Sequence, residues 1–102
     1  MKKLQIECTG IKEQVIREII DFAKKYQIEK VILFGSRARG NYHTKSDIDL
    51  AVQGENFTEF ALTVDEETST LLEYDFIDLS GEVSEALLES IKKEGVLIYE
   101  KI

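Results

Sequence analysis

Residues 35–50 read GSRARGNYHTKSDIDL, and they decide the fold because they join two different kinds of apolar segment. Residues 31–34, just before them, form a continuous apolar run that ends at a glycine, which is typical of a buried strand. From residue 47 to residue 52 apolar and other residues alternate, which predicts a second strand. Only 13 residues separate Phe34 from Ile48, so we expect the two strands to be antiparallel.

Apolar residues spaced by three and four predict helices around these strands. The first helix carries Ile11, Val15, Ile16, Ile19, Phe22, Ala23 and Tyr26. The middle helix carries Phe57, Phe60, Ala61, Val64, Thr68, Leu71 and Leu72. The last helix carries Val83, Leu87, Leu88 and Ile91. Gly95 is placed to end it in the left-handed conformation that glycine accepts.

Two further strands complete the pattern, one over residues 75–79 and a final edge strand over residues 96–99. Helices and strands therefore alternate along the chain. This order favours an α/β fold with a central mixed sheet flanked by helices. A length of 102 residues suits one domain, 1–102, with a substantial core.

The composition argues against several classes of protein. Hydrophobic residues make up 43% and charged residues 32%, as in soluble globular proteins. The net charge of −7 argues against general nucleic-acid binding, which normally needs a basic surface. No apolar run approaches the roughly 18 residues of a membrane-spanning helix, so no membrane role is expected. With a single cysteine, Cys8, and no apolar signal sequence, we expect a cytoplasmic protein.

Positive charge is nevertheless concentrated in one loop. Residues 31–46 contain Arg37, Arg39, His43 and Lys45 and no acidic residue. Such a loop suits a small anionic ligand, because local charge decides that kind of binding. A solvated surface role fits each arginine and the lysine equally well when each is considered alone.

Gly35 and Ser36 directly follow the first buried strand. Glycine lets the backbone turn sharply and lets another group approach it closely. A serine at this point can open a short helix, whose free N–H groups attract phosphate oxygens. An ordinary strand-ending turn has the same two residues, so the pair alone does not decide the matter.

Asp47 and Asp49 lie two residues apart on the second predicted strand, so their carboxylates point to the same face. Like charges this close repel each other unless a cation lies between them. Mg²⁺ suits the position, because it typically takes one or two carboxylates together with substrate phosphates. The alternative is a pair that faces solvent from an edge strand.

The third predicted strand offers another carboxylate. Asp75 shares its face with Ile77, whereas Asp78 lies on the opposite face near the strand end. A carboxylate beside the strand of Asp47 and Asp49 is able to bind a metal and to take a proton from an acceptor hydroxyl. The alternative for each is a water-exposed position at a strand end, and spacing alone does not choose between them.

The combination is more specific than its parts: Gly-Ser, ten residues, Asp-x-Asp, then a carboxylate on the next strand. It resembles the minimal nucleotidyltransferases, a small branch of the DNA polymerase beta superfamily. The matching residues are Gly35, Ser36, Arg37, Arg39, Gly40 and residues 46–50. The resemblance covers the whole chain, since residues 74–80 and 95–99 look like the C-terminal half of these proteins. It implies the polymerase beta-like fold.

The resemblance implies that Gly35 and Ser36 contact the triphosphate of a nucleotide, with ATP as the expected substrate. Arg37 and Arg39 would steady the phosphates. Ser46 would bind a phosphate or cap the turn into the strand, and both readings stay open.

By the same resemblance, Asp47 and Asp49 would hold two Mg²⁺ ions. A third carboxylate would bind one of the ions and help to activate the acceptor. The family pattern of Asp, two residues, then Asp-Leu selects Asp75 over Asp78 for this role. Tyr74 departs from the pattern, because a smaller aliphatic residue is common before the first aspartate.

The resemblance also implies a protein partner. Minimal nucleotidyltransferases commonly work beside a small helical HEPN-type protein, as the antitoxin of a toxin–antitoxin pair that adenylylates a tyrosine of its partner. A chain this short has no evident domain to bind an acceptor, so a separate subunit must supply one. The alternative is a non-catalytic subunit that neutralises the partner by contact. The set of Asp47, Asp49 and Asp75 favours the enzyme, because contact alone does not need three carboxylates together.

Overall fold

The structure is a computed structural model, and it describes residues 3–102. Four helices are present: α1 Glu13–Lys25, α2 Ser36–Arg39, α3 Phe57–Glu67 and α4 Glu85–Glu94. They alternate with four strands: β1 Lys30–Phe34, β2 Ile48–Gln53, β3 Tyr74–Asp78 and β4 Val96–Glu100. One turn of 3-10 helix, Ile6–Cys8, precedes α1. Among these residues no helix has both the length and the apolar composition needed to cross a membrane.

The four strands form one sheet in the order β3-β2-β1-β4. β1 is antiparallel to β2 and to β4, whereas β2 and β3 are parallel. The expected mixed sheet is therefore confirmed, as are the antiparallel first pair and the edge position of the last strand. The short connection from β1 reverses the chain, and α3 carries it back to the start of the parallel strand β3.

The two faces of the sheet are covered unequally. On one face, the larger core packs α1 and α3 against alternate strand residues such as Leu33, Leu50 and Val52. On the other face, a small cluster joins Ile91 of α4 to Ile32 and its neighbours. Because residues two apart on a strand share a face, Asp49 of β2 lies on the α4 side, the side with less cover.

The middle helix is shorter than the sequence predicts. α3 ends at Glu67, so Thr68 and Leu71 lie outside it and the predicted stripe through residue 72 is wrong. The carbonyl of Val64 accepts two hydrogen bonds from Thr68, one from the backbone N–H at 3.3 Å and one from the hydroxyl at 2.6 Å. Glu18 of α1 then accepts hydrogen bonds from the backbone and the side chain of Ser69 and holds the departing chain.

Gly95 ends α4 as predicted, but not in the predicted conformation. Its φ of −64° and ψ of 149° are extended rather than left-handed. A Cβ at this position would overlap the carbonyl oxygen of Ile91 and approach the side chain of Ile32. The glycine is therefore required by close packing at the start of β4, which periodicity in the sequence does not report.

Candidate active site

The parallel pairing of β2 and β3 brings two of the predicted carboxylates side by side. Asp49 and Asp75 are direct partners in the register of this pair. Asp47 lies just before β2, two residues from Asp49, and its charge also acts on Asp49. Asp47 and Asp75 are exposed, whereas Asp49 is partly buried between them. The three carboxylates therefore lie together at the end of the sheet where β2 and β3 begin.

Asp78 lies further along β3, opposite Val52 rather than opposite Asp49. Its side chain is used locally, because its Oδ1 accepts a hydrogen bond from the backbone N–H of Ser80 at 2.9 Å. Register thus places Asp75, and not Asp78, beside the Asp-x-Asp pair. The position of Asp75 favours it over Asp78, and its role as the third carboxylate stays a prediction.

The surroundings of Asp49 disfavour the negative charge of its carboxylate. Burial, and then the negative charges of Asp75 and Asp47, raise the pKa of Asp49 from 3.8 to about 6, while the positive charge of Arg39 lowers it. Carboxylates that lie this close together repel each other in this way unless a cation lies between them.

The raised pKa predicts that Asp49→Asn stabilises the protein when no metal is present. The unfolded chain releases the Asp49 proton near 3.8 and the folded chain near 6, so folding loses stability as pH rises across this range. The variant avoids that loss. After allowance for solvent screening at this partly exposed group, we expect a gain of about 1 kcal/mol above pH ~6, or several degrees in Tm.

Thermal unfolding in EDTA at about pH 8 and about pH 4 measures this effect. At the lower pH Asp49 is protonated in the folded chain and partly protonated in the unfolded chain, so most of the difference between the variant and the parent chain should disappear. A variant less stable than the parent chain at the higher pH would contradict the unfavourable charge.

Gly35 lies against the carboxylate of Asp49. β1 ends at Phe34, the register partner of Asp49, and the chain turns there with Gly35 at φ 75° and ψ −158°. A Cβ on Gly35 would overlap the Asp49 carboxylate. The sequence predicted a close approach of some group to this glycine, and the group is the Asp49 carboxylate. Ser36 then begins α2, as expected of a serine that opens a short helix.

Two further predicted nucleotide contacts occupy different places. Arg39, the last residue of α2, is exposed and pairs with Glu94 of α4 at 3.1 Å, and its positive charge lowers the pKa of Asp49. Ser46 closes a turn, because its Oγ accepts from the backbone N–H of His43 at 2.8 Å. Of the two roles open for Ser46, the structure displays the turn cap.

Arg37 does not face the carboxylates, and the expectation that it steadies phosphates is corrected here. Its side chain is buried, with only 2% of the residue exposed. Its guanidinium donates to the carbonyl oxygens of Ser46 and Thr9, both at 3.0 Å, and more weakly to those of Thr44 and His43. A guanidinium committed to backbone carbonyls in the interior is not available to a nucleotide.

Sequence reasoning did not find the residues that complete this arrangement. Thr9 and Gly10 reach Arg37 from the N-terminal segment, and the ring of Tyr42 lies 4.8 Å from the guanidinium carbon. These contacts join positions up to 28 residues apart, and nothing in the spacing of the chain indicates them.

The carboxylate group suits a hard cation that brings ligands of its own. Within residues 3–102, no three His, Cys, Asp or Glu side chains already surround a point that a metal would occupy. Mg²⁺ usually keeps several waters and completes its coordination with substrate phosphates. Exposed Asp47 and Asp75 beside the repelled charge of Asp49 therefore fit Mg²⁺ delivered with a nucleotide.

This fold and this site define a polymerase beta-like nucleotidyltransferase: a mixed sheet, carboxylates on neighbouring strands, and a glycine-serine turn pressed against them. The sequence model of the family described as "Polymerase beta, Nucleotidyltransferase" matches residues 17–102, and the chain belongs to this family.

Individual relatives agree with this assignment. MJ0604 of Methanocaldococcus jannaschii, assigned as a protein adenylyltransferase, is 41% identical over 81 residues, which cover 76% of this chain and 73% of that protein. A crystal structure of a toxin–antitoxin with AMP-PNP superposes with a TM-score of 0.67 at 24% identity, over 84% of this chain and 73% of that one. A crystal structure of a mutant of the toxin–antitoxin MntA-HpeT superposes with a TM-score of 0.64 at 25% identity, over 83% of this chain and 72% of that one.

Proposed function

We propose that this chain is a magnesium-dependent protein adenylyltransferase. It moves AMP from ATP onto a tyrosine hydroxyl of a helical HEPN-type partner, and it acts as the antitoxin of a toxin–antitoxin pair. The observation that carries the proposal is the register of Asp49 opposite Asp75, with Asp47 beside them, in a chain of this family. The proposal includes one nucleotidyltransferase domain, 1–102, and a cytoplasmic location, which the single cysteine supports.

The relatives support the nucleotide and the kind of acceptor. The name of the M. jannaschii protein specifies adenylyl transfer to a protein, and one structural neighbour is a toxin–antitoxin with an ATP analogue. The identity of 41% to the M. jannaschii protein extends over most of both chains. A protein acceptor also agrees with the exposed position of Asp75 beside Asp49.

The reaction is a displacement at the α-phosphorus of ATP. The acceptor oxygen forms a bond to that phosphorus while the bond to the bridging oxygen of the β-phosphate breaks, and pyrophosphate leaves. The proton of the acceptor hydroxyl passes to the carboxylate of Asp75. Because little covalent chemistry falls to the protein in such a transfer, its contribution is positioning and electrostatics.

The residues divide this work by position. Asp47, Asp49 and Asp75 would hold two Mg²⁺ ions, which when bound lower the pKa of the acceptor hydroxyl and neutralise charge on the triphosphate. The turn at Gly35 and Ser36 lies on the β1 side of Asp49, and there it would receive the triphosphate. The acceptor would then approach from the opposite side, past Asp75, as an in-line displacement requires.

The alternative is a subunit that neutralises its partner by contact alone. Asp49 argues against it, because its charge is held at a cost among two other carboxylates and the backbone of Gly35. Three close carboxylates do not strengthen a surface contact with a partner. They do provide the negative charge that a cation-binding site needs.

The decisive experiment incubates the chain with ATP, Mg²⁺ and the partner protein encoded beside it, and reads the intact masses. We expect the partner to gain one or more AMP units. Asp75→Asn should lower the rate by about 100-fold or more, since it removes both a metal ligand and the proton acceptor. Asp78→Asn is the matched control, because its amide oxygen still accepts from Ser80 and its position is away from Asp49.

If the partner forms a stable complex with this chain but gains no AMP, the result would support the alternative in which the chain neutralises its partner by contact alone. If Asp78→Asn lowers the transfer rate as much as Asp75→Asn does, the assignment of Asp75 as the third carboxylate would be contradicted.

A further inference from the structure

Arg37 is the largest fully buried side chain of the described chain, and it is a charged one. Its Nε, Nη1 and Nη2 atoms donate to the carbonyl oxygens of four residues: Thr9, His43, Thr44 and Ser46. Within residues 3–102 it forms no ion pair, so carbonyl dipoles and the face of the Tyr42 ring compensate its charge. A buried arginine satisfied in this way is a built feature, since an unsatisfied one would be costly.

Three of the four acceptors of Arg37 lie directly before Asp47, the first of the proposed catalytic carboxylates. Ser46 precedes Asp47, and its carbonyl oxygen is 3.0 Å from Nε of Arg37. The turn from His43 to Ser46 is closed by two hydrogen bonds, from the N–H of Ser46 to the carbonyl of His43 and from the N–H of His43 to the hydroxyl of Ser46. Arg37 therefore binds a closed turn whose last residue, Ser46, directly precedes Asp47.

The opposite side of the guanidinium is held by the N-terminal segment. Nη1 donates to the carbonyl of Thr9, and the hydroxyl of Thr9 in turn accepts from the N–H of Ile11 at 3.1 Å. Gly10 has φ 69°, and a Cβ there would overlap the ring of Tyr42 and press on Nη1 of Arg37. Thr9 and Gly10 lie outside the residues 17–102 that match the family model.

From these contacts we propose that Arg37 is a positioning residue for Asp47. It ties the turn 43–46 to the N-terminal segment 9–10 and so fixes where the Asp47 carboxylate enters the cation site. The inference rests on the proposed function for the role of Asp47, but its structural part can be tested without any transfer. Arginine is needed because its planar guanidinium presents several donors in fixed directions, whereas lysine presents one ammonium.

Three variants separate positioning from folding. Arg37→Lys keeps the charge and loses the fork of donors, and Gly10→Ala disturbs Arg37 from a different segment without altering it. Arg17→Lys is the matched control, because Arg17 is an exposed arginine whose side chain pairs only with Glu13, one turn away on α1. Circular dichroism selects a temperature at which every variant is folded.

The first readout is amide hydrogen exchange of residues 43–47, followed by mass spectrometry. We expect exchange in this stretch to rise by about 10-fold or more in Arg37→Lys and Gly10→Ala, with β1 and α1 unchanged and Arg17→Lys like the parent. The second readout is titration with Mn²⁺, followed by electron paramagnetic resonance of the free ion. Apparent affinity should fall by about 10-fold in both variants, towards that of Asp47→Asn.

Unchanged exchange at 43–47 in both variants would overturn the proposal, and so would increased exchange with unchanged Mn²⁺ affinity. Failure of the proposed function looks different: the parent chain would then bind no Mn²⁺ and transfer no AMP. In that case the exchange of residues 43–47 still decides whether Arg37 fixes the turn.

Discussion

Asp49→Asn is expected to lower the rate of AMP transfer by about 1,000-fold or more, which corresponds to about 4 kcal/mol of transition-state stabilisation. Asparagine keeps the size of the side chain and one oxygen, but it removes the negative charge that would bind a cation. Asp49 pairs with Asp75 and lies two residues from Asp47, so its loss would affect the proposed cation site at its centre. The rate is measured as AMP incorporated into the partner at saturating ATP and Mg²⁺.

This variant separates a chemical loss from a structural one. Because removal of the Asp49 charge is expected to raise the Tm of the metal-free chain, a nearly inactive variant that is more stable than its parent cannot be explained by unfolding. Asp47→Asn should also abolish transfer while the chain stays folded. Activity retained in either variant would refute the assignment of these carboxylates as cation ligands.

Gly35→Ala is the second substitution with a large expected effect. The combination of φ 75° and ψ −158° is one that residues with a Cβ essentially do not adopt, and the added carbon would overlap the Asp49 carboxylate. We expect a loss of about 2 kcal/mol or more in the free energy of unfolding, and a fall in transfer rate of about 100-fold, because Asp49 must move. Denaturant unfolding and the same transfer assay measure the two effects.

Gly40→Ala is a matched control for the cost of placing a Cβ on a residue with a positive φ. Gly40 also has a positive φ, 88°, and it follows α2 as Gly35 precedes it, yet a Cβ there would meet no atom within 4 Å. The control should lose about 1 kcal/mol of stability and keep nearly all its activity. If both variants lose activity to the same extent, the contact between Gly35 and Asp49 is not what matters at this turn.

Short-range patterns in the sequence were sufficient for most of the fold. Alternation over residues 47–52 and the apolar run over residues 31–34 predicted two strands that the structure contains, and the short connection between them predicted their antiparallel pairing. The same alternation predicted that Asp47 and Asp49 share a face. These features depend on neighbours within a few residues, and period-two spacing reports such neighbours reliably.

Features that depend on distant contacts could not be predicted in this way. The pairing of Asp75 with Asp49 is set by the parallel register of β3, and a shift of register would have brought another residue there. Arg37 resembled a phosphate ligand because it lies in a basic loop, and its true partners include a carbonyl in a separate segment. α3 ends at Glu67, and the carboxylate of Glu18 holds the chain just beyond it through Ser69, a long-range contact that apolar spacing does not report.

The position of β3 at the outside of the sheet bears on what kind of molecule can be modified. Its Asp75 is exposed on the outermost strand, and among residues 3–102 no further strand of the sheet lies beyond it. Under the proposed function, an acceptor hydroxyl would not have to enter a cleft on a flexible arm, and the rounded exterior of a folded protein would be able to present it. Fidelity would then depend on how well the two surfaces match when they meet.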